Sequence, residues 1–289
     1  MTGVPALEAL DLRVSYGRVE AVRGITFDVA PGEILGFLGP NGAGKSTTIK
    51  VFTGQMDPTA GGARILGMPV RRDDPALKAR IGVCFEEKNL YPDMTGLETL
   101  RFFASLFGIR DGREEDLLRR VGLADRAADR VARYSKGMKQ RLMMARALVN
   151  SPDVLFLDEP TDGLDPVSSI AIRSVIREEA ARGAAVLLTT HDMWEADELS
   201  DRVAFICDGT LHALDAPERL KLAHGRRRVR IRLGEPGGEV REVTVDLGSV
   251  DAGERLRDAV AAPDLLTIHT EEATLESVFV ELTGRRLSA

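Results

Sequence analysis

The sequence lacks any apolar run long enough to cross a membrane, and it contains only two cysteines. Its longest apolar stretches, such as Ile34–Leu38 and Val203–Cys207, have the length of a buried strand, whereas a spanning helix needs about 20 residues. The first residues, MTGVPALEALDLRV, lack the basic start and apolar run of a secretion signal. Cys84 and Cys207 are too far apart for a disulfide framework and lack metal-ligand spacing. We therefore expect a cytoplasmic protein with reduced thiols.

An excess of positive charge is also absent, since 39 lysines and arginines face 45 aspartates and glutamates, for a net charge of −6. A general nucleic-acid binder depends on neutralising phosphates, so no nucleic-acid partner is expected. One basic run, RRRVRIR at 226–232, alternates as a strand does and is interpreted as a solvated face. The sequence shows no internal repeat or low-complexity tract.

The order of strand-like and helix-like segments predicts an α/β domain over residues 1–224 and a small α+β domain over residues 225–289. In the first domain, strands are predicted at Leu7–Ser15, Ile25–Val29, Ile34–Leu38, Val154–Leu157, Ala185–Thr190 and Val203–Cys207. Helices are predicted at Lys45–Thr53, Leu97–Phe107, Asp116–Val121, Pro166–Arg182 and Met193–Leu199, with residues 87–150 mostly helical. Alternation of strands with helices is typical of a parallel sheet. In the second domain, two alternating segments around a Pro-Gly-Gly turn predict antiparallel strands, followed by helices at Ala252–Ala261 and Leu275–Leu282.

The clearest motif is a phosphate-binding loop between a predicted strand and a predicted helix. It consists of Gly39, Pro40, Asn41, Gly42, Ala43, Gly44, Lys45 and Ser46, followed by Thr47, and it matches the pattern G-x-x-x-x-G-K-[ST]. The glycines let backbone N–H groups turn toward the phosphates, and the helix N-terminus adds positive potential there. Lys45 is expected to reach the β- and γ-phosphates, and the Ser46 hydroxyl is expected to ligate Mg²⁺.

A second nucleotide motif is the apolar strand Val154–Leu157 followed by two acidic residues. Asp158 has the position that a nucleotide triphosphatase uses to hold Mg²⁺. Glu159, one residue later, is placed to accept a proton from the attacking water, a role that typically contributes about 10²–10⁴-fold. Strand ends are often acidic for solubility, so this motif gains its meaning from the phosphate-binding loop.

With these two motifs, the octet YSKGMKQR at 134–141 resembles the signature segment of the ABC ATPase family, and the resemblance covers nearly the whole chain. It implies that Ser135, Lys136, Gly137 and Met138 contact the γ-phosphate bound to the opposite subunit. An N-capped helix start is the structural alternative for this octet. The resemblance further implies that Tyr16 stacks on adenine, that Asp165 crosses a dimer interface, and that His191 contacts the γ-phosphate as a switch residue.

Two departures from the family pattern are visible. Glu86, with Glu87 as an alternative alignment, stands where the family commonly has a glutamine near Mg²⁺, so Glu86 is a candidate metal ligand that adds negative charge. Lys136 and Met138 replace a glycine and a glutamine, and this form resembles the exporter branch that works with ABC-2-type permeases. The C-terminal run TLESVFVELTG at 274–284 resembles the same branch.

The resemblance implies a P-loop ABC ATPase fold with a mixed core sheet, an antiparallel β subdomain, a helical subdomain and a C-terminal α+β appendage. It implies hydrolysis of ATP with Mg²⁺ in a head-to-tail homodimer, each ATP lying between Lys45 of one copy and Ser135 of the other. The chain would lie on the inner face of the membrane and drive export through a separate permease, docked near Glu86 and the helix around Leu97–Leu106. Two alternatives stay open: an ABC ATPase that acts on DNA or the ribosome, and a regulatory module without turnover.

Overall fold

The computed structural model describes residues 4–85, 89–225, 228–234, 239–271 and 273–285. The chain divides into two compact units between Asp215 and Ala216. The helix Pro217–His224 belongs to the second unit, so the division lies at the start of this helix, whereas the sequence predicts a boundary at its end. Within the described ranges, no helix combines the length and the apolar character that crossing a membrane requires.

The first unit combines strands and helices along its whole length. Its strands are β1 (Leu7–Tyr16), β2 (Val19–Val29), β3 (Ile34–Leu38), β4 (Ala60–Ile65), β5 (Met68–Pro69), β6 (Ile81–Cys84), β7 (Val154–Asp158), β8 (Ala185–Thr190), β9 (Arg202–Cys207) and β10 (Thr210–Asp215). Its helices are α1 (Lys45–Phe52), α2 (Pro75–Lys78), α3 (Gly96–Leu106), α4 (Glu114–Arg120), α5 (Lys136–Ala147), α6 (Pro166–Ala181) and α7 (Met193–Leu199). Single 3₁₀ turns occur at Ala124–Arg126 and Val131–Arg133.

A six-stranded sheet in the order β10-β9-β3-β8-β7-β6 forms the centre of the first unit. β3, β7 and β8 are buried along their whole lengths, which explains why they read in the sequence as continuous apolar runs. Every neighbouring pair is parallel except β9 and β10, so the predicted mixed sheet is confirmed. Because β3, β8 and β7 are neighbours and parallel, the loops that follow them meet at one edge, where α/β sheets bind ligands.

A second, antiparallel sheet has the strand order β2-β1-β4-β5. Its buried side chains share one apolar cluster with one face of the six-stranded sheet and with α1. Within this cluster, the ring centroid of Phe52 lies 5.8 Å from the ring centroid of Phe27 and 5.9 Å from that of Phe156. β4 has no strand-like pattern in the sequence, because its Ala-Gly-Gly start lacks the apolar alternation of a strand.

The helices α3, α4 and α5 pack on the opposite face of the six-stranded sheet and form the helical part of the unit. The start of α3 is fixed by a capping box, in which Thr95 accepts a hydrogen bond from the Glu98 amide and Glu98 accepts one from the Thr95 amide. Buried Leu142, Met143 and Met144 of α5 belong to the core cluster on this face of the sheet. The core therefore fixes α5, whose first turn carries the signature residues.

The second unit consists of α8 (Pro217–His224), β11 (Arg228–Gly234), β12 (Val240–Asp246), α9 (Ala252–Val260), β13 (Leu265–Glu271) and α10 (Leu275–Thr283). β11 is the central strand of an antiparallel sheet in the order β12-β11-β13. Val229, Ile231 and Leu233 of β11 are buried in a cluster with α9, whereas Arg230 and Arg232 are exposed. The described part of the basic run therefore forms a solvated face, as predicted, and Arg226 and Arg227 lie outside the described residues.

Candidate nucleotide-binding site

The phosphate-binding loop connects β3 to α1 and needs glycine at two points. Gly44, directly before α1, has a φ of 109°, a backbone angle that residues other than glycine rarely adopt. A Cβ atom at Gly39 would lie 2.1 Å from the carbonyl oxygen of Ile206 on β9. The loop therefore packs closely on the sheet while it turns its backbone toward the space above the strand ends.

Lys45 points back into this loop and is 6% exposed. Its Nζ atom donates a hydrogen bond to the Gly39 carbonyl and lies 3.7 Å from Oε1 of Glu159. A buried ammonium group of this kind needs negative partners, and the loop carbonyls with Glu159 supply them in this structure. The same position is suited to an incoming phosphate.

Asp158, at the end of β7, is 7% exposed and accepts hydrogen bonds from two hydroxyl groups. Ser46 Oγ lies 3.4 Å from Asp158 Oδ1, and Thr189 Oγ1 donates to the same oxygen. Thr189 is the register partner of Asp158 across the parallel pair β7–β8. The two predicted metal ligands, Ser46 and Asp158, are therefore brought together, with Thr189 orienting the carboxylate.

Glu159 follows β7 with a positive φ of 50°, a backbone conformation that is uncommon outside glycine. Its amide donates to the Thr189 carbonyl at 3.0 Å, which holds this backbone in place. Its Oε2 atom lies 2.9 Å from Nδ1 of His191. Burial raises the pKa of the Glu159 carboxyl above its ordinary value, while His191 and Lys45 lower it in part. A carboxyl with a raised pKa, held between a lysine and a histidine, is suited to proton transfer.

These residues surround one open cavity of about 300 Å³ in the first unit. Its walls are Pro40, Asn41, Gly42, Gly44, Lys45, Ser46, Thr47, Asp158, Glu159, Asp162 and His191. Gly39 and Ala43 belong to the loop but do not line the cavity, because Gly39 packs on β9 and Ala43 is buried. The structure thus assembles most of the predicted nucleotide, metal and catalytic residues into one polar site.

Other predicted residues lie outside this cavity. Tyr16, at the end of β1, is about half exposed, and its hydroxyl lies 3.4 Å from Met56 Sδ. Ser135 is the N-cap of α5 and accepts a hydrogen bond from the Met138 amide, so the structural alternative for the octet holds locally. Asp165 is likewise the N-cap of α6. Glu86 lies outside the described residues. The roles that the resemblance implies for these residues stay predictions.

Lys136 and Gly137 lie against the loop that follows Glu159. Lys136 Nζ is 3.6 Å from Asp162 Oδ2, and a Cβ at Gly137 would lie 3.3 Å from Oδ2 of Asp165 at the end of the loop and 2.7 Å from Oγ of Ser168 in α6. Met138 packs on the core cluster next to α5. The signature segment is therefore connected to the nucleotide cavity of its own chain through Asp162, without lining that cavity.

Two polar residues of the site, Thr189 and Asp162, belong to none of the motifs that the sequence reveals. Thr189 is one of two threonines at the end of a buried strand, and a hydroxyl in such a run is a signal for a polar partner. Asp162 lies between the Asp158-Glu159 pair and Asp165, and nothing in its sequence position distinguishes it from an ordinary loop aspartate. Both gain their roles from residues that are distant in sequence.

The chain is similar to known proteins over most of its length. A family model described as ABC transporter matches residues 22–162. The chain is 45% identical to a fluoroquinolones export ATP-binding protein of Mycobacterium tuberculosis (strain CDC 1551 / Oshkosh), with 99% of this chain and 95% of the relative covered. It is 39% identical to a Nod factor export ATP-binding protein I of Paraburkholderia xenovorans (strain LB400), with 98% of each covered.

A solved structure adds a similarity in three dimensions. It is a dimeric ATP-binding cassette in a post-hydrolysis state, bound to ADP and Pi. It matches this chain with a TM-score of 0.67 at 26% identity, covering 73% of this chain and 98% of that one.

Proposed function

We propose that this chain, which belongs to the ABC transporter family and binds and hydrolyses ATP, powers export through a separate membrane permease. The observation that carries the proposal is the convergence of Lys45, Asp158, Glu159 and His191 on one cavity at the ends of β3, β7 and β8. Two export ATP-binding proteins resemble the chain over at least 98% of its length, which supports the export role.

Within the cavity, the residues divide the work of hydrolysis. The Gly42–Thr47 backbone and Lys45 hold the phosphates, and Lys45 balances charge that develops on the γ-phosphate. Glu159 takes a proton from the attacking water, for which its raised pKa gives a suitable basicity. His191, 2.9 Å from Glu159 Oε2, orients that carboxyl and faces the same space.

Magnesium fits the residues present at this site. Mg²⁺ is usually held by one or two carboxylates together with substrate phosphates, rather than by a cage of protein ligands. Ser46 Oγ and Asp158 Oδ1, 3.4 Å apart on the cavity wall, supply this small oxygen set, and Thr189 fixes the carboxylate from behind. Bound there, Mg²⁺ would neutralise charge on the β- and γ-phosphates. Glu86 remains a proposed additional ligand.

The active form is proposed to be a head-to-tail homodimer. Ser135, Lys136 and Gly137 do not line the cavity of their own chain, and their proposed role is toward the nucleotide of a second copy. A chain with one phosphate-binding loop and one signature segment completes both sites when a two-fold axis relates the copies. The dimeric cassette with ADP and Pi supports this arrangement by analogy.

An open groove of about 450 Å³ is the proposed docking site for the permease. It is lined by the aromatic rings of Phe85, Tyr91, Phe103 and Phe107, and Arg146 lies over the Phe103 ring at 4.9 Å. The groove is lined in part by Phe103 of α3 and by Phe85, which directly precedes in sequence the position where the family resemblance places the sensor of the membrane partner. An ABC-2-type permease is the proposed partner, and it would hold the chain on the inner face of the membrane.

The proposed dimer and the role of Glu159 are tested together by Glu159→Gln. This variant should bind ATP with Mg²⁺ and hydrolyse it little, so the closed dimer should accumulate. Light scattering should then give twice the 31.4 kDa of the single chain. Glu159→Gln combined with Ser135→Ala is the control that should remain monomeric. A monomeric Glu159→Gln variant at saturating ATP-Mg²⁺ would count against the dimer.

A further inference from the structure

Glu195 is a buried carboxyl that none of the predicted roles uses. It lies on α7, four residues after His191, and is 1% exposed. Glutamate is seldom fully buried unless it has a partner. Glu195 does not line the nucleotide cavity, yet its helix begins directly after the His191–Asp192 turn.

The contacts of Glu195 are unequal at its two oxygens. Oε1 is 2.5 Å from the hydroxyl oxygen of Thr161, which donates a hydrogen bond to it. Oε2 is buried and has no hydrogen-bond partner among the residues that the structure describes. Burial raises the pKa of this carboxyl, while the nearby hydroxyls of Thr161 and Thr190 lower it in part. An unpaired buried oxygen is unfavourable, so its presence calls for a physical reason.

Thr161 begins the loop that follows Glu159, here called the Thr161–Asp165 loop. Asp162 of this loop lines the nucleotide cavity and pairs with Lys136 at 3.6 Å. The Lys136 side chain also covers Gly163, where a Cβ atom would come within 1.9 Å of its Nζ. The loop therefore connects Glu159 to the start of α6 and contacts Lys136 in the first turn of α5 on its way.

The segments that carry Glu159 and His191 are thus connected twice. The first connection is the 2.9 Å contact between the two side chains in the cavity. The second is the bond between Glu195 and Thr161, outside the set of residues that line the cavity. The second connection therefore joins α7 to the loop that carries Asp162, and Asp162 pairs with Lys136.

We propose that Glu195 is a positioning residue that holds the Thr161–Asp165 loop through Thr161 and so links the nucleotide cavity to the Lys136–Gly137 segment. The link to a second copy rests on the proposed homodimer, whereas the effect on turnover is expected in every chain.

Four variants test the bond itself. Thr161→Val and Glu195→Ala remove it, and we expect kcat to fall about tenfold or more, as misplacement of a catalytic group does. The dissociation constant for a fluorescent ATP analogue should change less than about twofold, because Lys45 and its loop are untouched. Thr161→Ser and Glu195→Gln keep a hydroxyl and a polar acceptor, so they should retain most of the turnover.

Glu198→Gln is the matched control. Glu198 lies on the same helix and is about half exposed, and its carboxylate lies 3.8 Å from the Arg177 guanidinium. This variant should behave as the wild type. Wild-type kcat in Thr161→Val would overturn the proposal. A fall in kcat that is matched by weaker nucleotide binding and a lower unfolding midpoint would also overturn it, because the bond would then be only structural. A Glu195→Gln variant as slow as Glu195→Ala would do the same.

The link to the second copy is tested by adding Thr161→Val to Glu159→Gln. If Glu159→Gln forms the ATP-bound dimer, the double variant should need at least about tenfold more ATP to form it. An unchanged ATP requirement would overturn the link. If Glu159→Gln alone stays monomeric, the proposed homodimer fails and the link fails with it, and the kcat of Thr161→Val still decides the positioning role.

Discussion

At the scale of single residues, the site depends on polar atoms whose partners lie on other strands. Asp158 shares one oxygen between Ser46 and Thr189, and Glu159 lies between Lys45 and His191. In a buried site, each such bond is stronger than in water, and each unpaired atom costs more. The orientation of Asp158 is therefore set by two uncharged hydroxyl groups, whereas Glu159 is held between a lysine and a histidine.

Thr189→Val should weaken the response to magnesium while leaving the fold intact. The change removes the hydroxyl that orients Asp158 and keeps the size of the side chain. Loss of such an orienting partner typically costs about 10–100-fold in metal affinity. The Mg²⁺ concentration for half-maximal ATPase should rise by that factor. Thr53→Val is the control, since Thr53 is also buried and does not line the cavity, and its hydroxyl donates to carbonyls of its own helix and accepts from the Gln55 side chain.

Glu195→Gln should make the chain more stable relative to the wild type as the pH rises. Burial raises the folded-state pKa of Glu195, with Asp192 raising it and Arg173 lowering it as the nearby charges. Below the ordinary pKa near 4.5, the carboxyl is protonated in both states, and ionisation at higher pH favours the unfolded chain. The free energy of unfolding of each protein, measured with urea, should differ more between Glu195→Gln and the wild type at pH 8 than at pH 5. An equal difference at both values would contradict the raised pKa.

At the scale of elements, α5 and α3 carry two separate surfaces of the first unit. One is the signature segment at the start of α5, and the other is the aromatic groove beside α3. The first turn of α5 carries Ser135 to Met138, and its remaining turns are held in the core by Leu142 and its neighbours. α3 contributes Phe103 to the aromatic groove, on the same side as Arg146 of α5. The signature segment is the first turn of α5, and Arg146, which lines the groove, lies in its last turn. The single helix α5 therefore connects the two surfaces.

Phe103→Ala should reduce binding of the permease without slowing the isolated ATPase. An aromatic side chain in the centre of an interface commonly contributes more than 2 kcal/mol, so co-purification of the permease should fall more than about tenfold. Leu106→Ala is the control, since Leu106 is exposed on the same helix and does not line the groove. Equal loss in both variants would indicate damage to α3 rather than to a docking site.

At the scale of the whole molecule, the proposal of shared sites makes a quantitative prediction. Lys45→Ala and Ser135→Ala should each be inactive alone, because every site in each homodimer lacks one half. In an equimolar mixture that exchanges copies, half of the dimers are mixed and each has one complete site. About a quarter of the wild-type sites should therefore be restored. ATPase activity that does not exceed the sum of the two separate variants would contradict sharing between copies.

The sequence by itself predicted the features that depend on neighbours along the chain. The loop from Gly39 to Ser46, the acidic end of β7 and the caps at Ser135 and Asp165 need only a local order of residues. The buried strands were recognisable because they are apolar throughout. Strands such as β4, β10 and β13 were not predicted, since edge position, glycine or polar residues obscure their pattern.

Only the tertiary structure decided which side chains meet. Thr189 reaches Asp158 because β7 and β8 are parallel neighbours in this register. Glu195 reaches Thr161 because α7 packs under the loop after β7, although 33 intervening residues separate them in the chain. A hydrogen bond requires two atoms within about 3 Å, and sequence order does not give distances between segments. The motifs therefore identified the nucleotide chemistry, whereas the packing of the strands and helices determined the residues that orient it.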